Sequence, residues 1–299
     1  MLFGTAITAT VVRVVDGDTL RLTADGREES VRLLGLDTEE SNRGSNKPVT
    51  PWGHKAKEAA QKVFPAGATV TLEFPGQEPV QECWEKHRDN YGRLLGYVHK
   101  DGVDVQEQMI HEGYSPYFVK YGYADFPASH DRYTAAERRA QTAHRGLWDQ
   151  FTVNGFEARN YALLGVWWHL RAEVIDDYRV ANGANPLLLD SRRDYRQVVE
   201  LAKQEREATV FTELREYRPA GRHVVVTIGS FQQPFQVFIP NGVEAGQDIL
   251  RLLDNRYISA DETHPHRGYA YVRGPLKWYQ DKPEMIVTSP DQISDAPMN

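Results

Sequence analysis

The chain has 299 residues and a mass of 34.1 kDa, about twice the commonest size of a single domain, which favours two domains. Hydrophobic residues make up 40%, charged residues 26%, and the mean hydropathy is -0.58. This composition excludes a disordered chain and leaves no apolar run long enough for a membrane span. The net charge is -7, and both halves, divided at Trp148, are slightly acidic, which argues against a generally basic surface for nucleic acid.

A single cysteine, Cys83, excludes an internal disulfide and a cysteine-rich zinc site. Residues 1–5 contain no basic stretch followed by a long apolar core, so we expect no secretory signal on this chain. The location is then cytoplasmic, or exported if a leader has been removed. No glycine-rich phosphate loop or nucleophile-elbow motif occurs, so we expect no nucleotide cofactor.

The first half of the chain has the pattern of a β-rich unit with helices. Residues 5–24 are rich in Thr and Val and contain the turn dipeptide Asp16-Gly17, which is typical of a hairpin. Further strands are predicted at 31–36, 68–74 and 94–99, and helices at 54–64, 105–112 and 129–142. The segment around Cys83 and Trp84 is predicted to be a loop.

The second half begins with a helical stretch, residues 150–206, which we interpret as a connector. A second β-rich unit follows. Its strands are predicted at 208–217, 223–228, 235–239, 268–273 and 284–288, with one helix at 244–253. This order of elements is that of an OB barrel, and residues 295–299 are expected to be a disordered tail.

Five charged side chains lie at strand ends or inside apolar strands, where an unpaired buried charge is costly. They are Asp18, Arg32, Asp37, Glu40 and Arg93. If the strands that Asp18 and Asp37 close are neighbours, the two carboxylates converge, and such oxygen ligands suit a hard cation, calcium or magnesium.

The other three members of this set fit phosphate chemistry. The guanidinium groups of Arg32 and Arg93 suit bidentate binding of a phosphate, and Glu40 is placed to orient or deprotonate a water. Singly, each has a plainer interpretation: Asp18 belongs to an ordinary turn and Arg93 forms a surface ion pair. Only the whole set favours a phosphodiesterase site.

Four motifs of the chain resemble the staphylococcal nuclease family. In order they are residues 15–19 (VDGDT), 32–40 (RLLGLDTEE), 89–93 (DNYGR) and 146–148 (GLW). The resemblance covers residues 5–148. It implies an OB-barrel nuclease that uses calcium to cleave DNA or RNA, with water attacking phosphorus to leave a 3′-phosphate and a 5′-hydroxyl.

The resemblance also implies a role for individual residues. In chain order these are calcium binding for Asp18, phosphate binding for Arg32, calcium binding for Asp37 and the Thr38 carbonyl, water activation for Glu40, and phosphate binding for Arg93. Magnesium and manganese are the alternative metals.

Tyr91 matches a nucleotide-contacting tyrosine of the family, and Tyr117 or Tyr121 is expected to add another contact. Two positions depart from the family pattern. Glu39 replaces the usual proline and adds a negative charge beside the metal ligands. Asn90 replaces a lysine that often precedes the motif tyrosine, so one cationic contact to a terminal phosphate is lost.

Residues 282–293 look like the final strand of bacterial OB domains that accompany nucleic-acid enzymes. Aromatic residues of this unit could stack bases or could form the barrel core. They are Phe231, Phe235, Phe238, Tyr269, Tyr271, Trp278 and Tyr279. Of these, Trp278 and Tyr279 are our candidates for substrate contact.

We therefore predict a mainly β, α+β fold of two OB-type five-stranded barrels, residues 1–149 and 207–294, joined by the connector 150–206. The predicted function is a calcium-dependent nuclease, with single-stranded nucleic acid as its preferred partner and no membrane partner. One alternative is a catalytically inert binding scaffold of the tudor-nuclease type. In a second alternative, catalysis is kept and the C-terminal unit docks a protein.

Overall fold

The computed structural model describes residues 1–43, 47–155, 157–259 and 266–298, with the backbone alone at 153 and 154. The chain divides into two compact units, Met1–Trp168 and His169–Asn299. Among the residues that the structure describes, no helix is long and apolar enough to span a membrane.

Among the described residues of the first unit, five strands close into a barrel, and a sixth, short strand pairs with the fifth. The strands are β1 (Ala6–Asp16), β2 (Thr19–Ala24), β3 (Arg27–Leu33), β4 (Thr69–Glu73), β5 (Leu94–Lys100) and β6 (Val103–Asp104). β1 pairs with both β2 and β4, and β3 pairs parallel to β5, which closes the ring in the order β1-β2-β3-β5-β4. The predicted α+β fold with an OB-type barrel is confirmed for this unit.

Alternation along the strands fills the barrel. In β2, Leu20, Leu22 and Ala24 are buried, whereas Arg21 and Thr23, which alternate with them, are more exposed. This period of two places alternate side chains on opposite faces of the sheet, so the leucines pack inside.

In the part of the first unit that the structure describes, five α-helices precede α6 (Tyr161–Ala184), whose first residues also lie in this unit. The five are α1 (Pro51–Val63), α2 (Val80–Lys86), α3 (Val105–His111), α4 (Pro127–Thr142) and α5 (Gln150–Asn154). The loop predicted around Cys83 and Trp84 is wrong, because both residues lie in α2 and are buried. Trp84 packs edge-on against Phe74 at a ring distance of 5.6 Å. A helix of seven residues is too short to show a helical period in the sequence.

The second unit combines helices with a second sheet. Its helices are α6 (Tyr161–Ala184), within which the unit boundary falls, α7 (Tyr195–Lys203) and α8 (Gln247–Leu252), which continues as a π-helical turn, Leu253–Tyr257. Its strands are β7 (Leu188–Asp190), β8 (Glu207–Glu213), β9 (Glu216–Ala220), β10 (His223–Thr227), β11 (Gln236–Ile239), β12 (Tyr269–Tyr279), β13 (Lys282–Ile286) and β14 (Ile293–Ser294).

The pairings of this second sheet repeat the order of the first barrel. β8 pairs with β12, β12 with β13, β13 runs parallel to β11, and β10 joins β11 to β9. The predicted strand 208–217 is interrupted after Glu213, so β8 and β9 serve as its two halves. The predicted strand 268–273 corresponds to β12, which ends six residues later than predicted, at Tyr279, and forms a hairpin with β13.

The expectation of a disordered tail is wrong at its first residue. Asp295 accepts a hydrogen bond from the Tyr257 hydroxyl at 2.7 Å and pairs with Arg267 at 3.2 Å and with Arg256. These partners lie far upstream in the sequence, which is why the polar composition of the tail suggested no contact.

Candidate active site

The register between β2 and β3 fixes the base of the candidate site. Thr19 lies opposite Arg32, and the backbone N–H of Leu33 donates to the carbonyl of Asp18 at 2.9 Å. At Gly17 a Cβ atom would lie 2.8 Å from the Thr38 side chain, closer than real side chains approach. Glycine therefore lets the β1–β2 turn lie against the residues that follow β3.

Arg32 bridges the two carboxylates that the sequence predicted to converge. Its Nη1 lies 3.0 Å from Asp18 Oδ2, and its Nη2 lies 2.9 Å from Asp37 Oδ1. The same Asp18 oxygen accepts hydrogen bonds from the backbone N–H of Thr38 at 3.0 Å and from its hydroxyl at 3.1 Å. Asp18, Arg32, Asp37 and Thr38 therefore lie together at one end of the barrel.

Asp37 contacts three side-chain cations. Besides Arg32, Lys47 Nζ lies 2.6 Å from Oδ1 and Arg159 Nη2 lies 2.9 Å from Oδ2. Burial alone would raise the pKa of Asp37, but Lys47, Arg159 and Arg32 outweigh it and hold this pKa well below its usual range. The backbone N–H of Asp37 donates to the buried Ser115 hydroxyl at 2.8 Å, which anchors the segment after β3 to the core.

Glu39, which replaces the usual proline of the family pattern, is 1% exposed. Its partners are two residues that follow the fourth motif, Arg159 and Tyr161. Its Oε1 lies 2.9 Å from Arg159 Nε and accepts a hydrogen bond from the Tyr161 hydroxyl. Burial raises the pKa of Tyr161, so the hydroxyl keeps its proton and acts as a donor. Although burial disfavours the charge of Arg159, Asp37 and Glu39 raise its pKa.

Sequence reasoning missed Lys47, Arg159 and Tyr161. The one available signal was Glu39, since a buried carboxylate needs a cationic partner. That signal does not say which of the 35 Lys and Arg residues is the partner.

Glu40 lies at the rim of the same site. Its side chain is 23% exposed, and its Oε1 lies 3.8 Å from Lys47 Nζ. The backbone N–H of Thr50 donates to the Glu40 carbonyl at 3.3 Å. At Gly53 a Cβ atom would lie 2.0 Å from that carbonyl, so a glycine is needed for the first turn of α1 to pack against Glu40.

Arg93 is held at the same end of the barrel. Its Nε pairs with Asp89 Oδ2 at 2.7 Å, and its Nη1 lies 3.4 Å from the hydroxyl of Thr19, the neighbour of Asp18. The guanidinium lies 5.4 Å from the ring centre of Tyr91, which is 81% exposed. The structure thus brings Arg93 and an exposed aromatic ring to the rim.

The other two candidate tyrosines differ in exposure. Tyr121 is 51% exposed, whereas Tyr117 is 2% exposed. The Tyr117 hydroxyl shares a hydrogen bond with His130 at 3.0 Å and accepts one from the backbone N–H of Ala124 at 2.8 Å. Tyr117 is therefore part of the core, whereas the ring of Tyr121 is accessible, and nucleotide contact by either tyrosine stays a prediction.

The aromatic residues of the second unit divide in the same way. Phe235, Tyr269 and Tyr271 are buried in its core. Trp278 and Tyr279 are 40% and 49% exposed at the end of β12. Lys203 Nζ lies 5.5 Å from the Trp278 ring centre, and Tyr279 faces Lys282 across the hairpin. Phe231, in the loop between β10 and β11, is 92% exposed.

The donor set fits a hard divalent cation. Asp18 and Asp37 offer buried carboxylate oxygens, and the backbone carbonyl of Thr38 is of the same hard type. Both oxygens of Asp37 are also contacted by side-chain cations, so a metal ion would share this ligand with them.

Comparison with known proteins identifies the class of protein that this barrel and site define. A sequence model described as "Staphylococcal nuclease homologue" matches residues 30–150. The chain is 31% identical over 141 residues to the Thermonuclease of Staphylococcus hyicus, covering 46% of this chain and 73% of that protein. The chain belongs to the staphylococcal nuclease family.

Two Bacillus subtilis proteins are also similar. The "SPbeta prophage-derived endonuclease YokF" is 33% identical over 150 residues, which is 50% of this chain and 46% of that protein. "Endonuclease YncB" is 31% identical over 144 residues, 48% of this chain and 63% of that protein. The chain thus spans about half to two thirds of the length of these relatives. Arg159 and Tyr161 lie beyond the residues that the family model matches.

Proposed function

We propose that this protein is a nuclease that hydrolyses phosphodiester bonds of DNA or RNA in a calcium-dependent reaction. The observation that carries the proposal is the Arg32 bridge between Asp18 and Asp37, with Arg93 held at the same end of the barrel. Relatives named endonuclease and thermonuclease support the same activity.

In the proposed reaction, Asp18, Asp37 and the Thr38 carbonyl hold the divalent cation. When bound, the cation neutralises negative charge on the phosphate. Arg32 and Arg93 donate hydrogen bonds to the phosphate oxygens, where charge grows in the transition state. Asp89 orients Arg93 by accepting from its Nε.

Glu40 is the proposed base. Its partly exposed carboxylate can accept a hydrogen bond from a water at the rim and take the proton as the water oxygen attacks phosphorus. The bond from phosphorus to the 5′ oxygen then breaks, and that oxygen takes up a proton. The products are a 3′-phosphate and a 5′-hydroxyl.

We further propose that the second unit binds unpaired bases. Trp278 and Tyr279 are exposed neighbours at the end of β12, with Lys203 against the Trp278 ring and Lys282 opposite Tyr279 in the hairpin. Bases stack on such rings only when they are unpaired, so the proposed substrate is single-stranded.

The proposal is tested by incubating the full chain with single-stranded and double-stranded DNA and RNA, in calcium, magnesium, manganese or chelator. We expect cleavage in calcium, none in chelator, and 3′-phosphate ends that resist a polymerase until a phosphatase removes them. Asp18→Ala should raise the calcium concentration needed for half-maximal rate, and added calcium should restore part of the activity. Equal cleavage in chelator would refute the metal assignment, and binding without cleavage in every metal would favour the inert scaffold.

A further inference from the structure

Arg159 contacts the candidate metal ligand Asp37, although it lies outside the four family motifs and beyond the residues that the family model matches. Its Nη2 lies 2.9 Å from Asp37 Oδ2 and 3.4 Å from the Asp37 carbonyl, while Arg32 contacts Oδ1. The carboxylate is therefore clamped between two guanidinium groups, one on each oxygen. A carboxylate held at both oxygens has one orientation.

Arg159 is itself fixed by two buried partners. Its Nε pairs with Glu39 Oε1 at 2.9 Å, and its Nη2 donates to the Tyr161 hydroxyl at 2.9 Å. The Arg159 side chain is 11% exposed and that of Glu39 is 0% exposed. An arginine side chain is long and flexible, but burial and the contacts with Glu39, Tyr161 and Asp37 hold the Arg159 guanidinium in one position.

The position of this arginine decides what it can touch. Its Nη2 is engaged by Asp37 and Tyr161, its Nε by Glu39, and the side chain is nearly buried. Arg93 by contrast has a side chain that is 30% exposed at the barrel end, where its Nε pairs with Asp89 and its guanidinium lies beside the exposed ring of Tyr91. Arg159 thus acts on the site through Asp37 and not through the substrate.

Resting on the nuclease function proposed above, we propose that Arg159 is a positioning residue of the active site. It fixes the orientation of Asp37 and, as a cation built into the chain, competes with the divalent ion for Asp37 Oδ2. Glu39 stands where the family usually has proline because it holds this arginine. The calcium affinity of the site is accordingly lower than the same ligands would give without Arg159.

The test is calorimetric titration of the full chain with calcium chloride. Arg159→Gln removes a positive charge next to a ligand of a doubly charged ion, so the calcium Kd should fall by about tenfold or more. Since Glu39 is then buried without its cation, Glu39→Gln/Arg159→Gln is measured beside it. This double variant leaves no unpaired charge, and its Kd should also fall, by a smaller factor.

Arg132→Gln is the matched control. Arg132 lies in the same unit and pairs with Asp104 at 2.8 Å and Glu107 at 3.4 Å, away from Asp37. Its loss should leave the calcium Kd unchanged. Kinetics provide a second readout: at saturating calcium, Arg159→Gln should lower kcat because Asp37 is less firmly oriented, with KM for nucleic acid unchanged.

The outcomes separate this inference from the proposed function. If Asp18→Ala abolishes calcium binding while both Arg159 variants keep the wild-type Kd, the inference is wrong and the metal site stands. A raised KM with an unchanged calcium Kd would overturn it too, because Arg159 would then be a substrate contact. If Asp18→Ala leaves calcium binding unaltered, or no variant binds calcium, the metal assignment and the inference fall together.

Discussion

Asp89 holds Arg93 through both the backbone and the side chain. Its Oδ1 accepts from the backbone N–H of Arg93 at 2.9 Å, and its Oδ2 accepts from the Arg93 Nε at 2.7 Å. Gly92 also donates its backbone N–H to the Asp89 carbonyl at 3.1 Å. The DNYGR motif is therefore a closed turn that aims one guanidinium, and its spacing of four residues follows from these contacts.

This geometry predicts the effect of Arg93→Lys. Lysine keeps the charge but has no Nε to pair with Asp89 and no planar fork for two phosphate oxygens, so kcat should fall by about two orders of magnitude with a small change in KM. Arg21→Lys is the control, because Arg21 lies on the same barrel in an exposed pair with Glu28. Steady-state cleavage kinetics measure both. A near-normal kcat would make Arg93 a structural partner of Asp89.

Glu40→Gln should separate binding from turnover. The amide keeps the shape and the backbone contacts of Glu40 but cannot accept the proton of water, so kcat should fall by about two to four orders of magnitude at unchanged substrate affinity. Glu28→Gln, an exposed carboxylate of β3, should behave as wild type. Normal turnover in Glu40→Gln would transfer water activation to another group.

Glu137 predicts a pH dependence of stability. This partly buried carboxylate on α4 accepts the backbone N–H of Tyr117 at 2.8 Å, and burial raises its pKa from 4.5 to about 7. Below pH 4.5 it is protonated in both the folded and the unfolded chain. Between pH 4.5 and 7 the folded chain retains the proton that the unfolded chain loses, so the free energy of unfolding falls as pH rises, by up to about 3 kcal/mol.

Thermal unfolding of Glu137→Gln across this pH range tests the assignment. Glutamine can accept the same hydrogen bond without titrating, so the decline attributed to Glu137 should disappear. Glu58→Gln, an exposed position on α1, should keep the wild-type profile. Parallel pH profiles for wild type and Glu137→Gln would contradict the raised pKa.

The hairpin aromatics predict a selective loss of single-strand binding. In the full chain, Trp278→Ala/Tyr279→Ala should weaken binding of a single-stranded oligonucleotide by about tenfold or more, at about 1–3 kcal/mol per stacked base, and should change duplex binding little. Leu187→Ala removes an apolar side chain that is 75% exposed elsewhere in the second unit and serves as control. Fluorescence anisotropy measures both. Equal losses on both substrates would mean that the hairpin does not read unpaired bases.

The sequence by itself determined the first barrel and the set of side chains at its end. The strand pattern placed Asp18, Arg32 and Asp37 beside or inside strands, so that they converge if those strands are neighbours, and the resemblance to the nuclease family implied the barrel that makes them so. The helix around Cys83 could not be placed, because seven residues carry too little periodic signal. Neither could the interruption after Glu213, where local composition continues to favour a strand.

Only the tertiary structure decided which residues surround Asp37 and which tyrosines face solvent. Glu39 and Arg159 are 120 residues apart, and no local spacing records a pair at that distance. Tyr117 and Tyr121 lie in one loop, yet the Tyr117 ring is buried against Tyr133 of α4, whereas the Tyr121 ring is half exposed to solvent. Strand periods and turn chemistry act over a few residues and are readable in sequence, whereas a buried charge selects its partner through the packed fold.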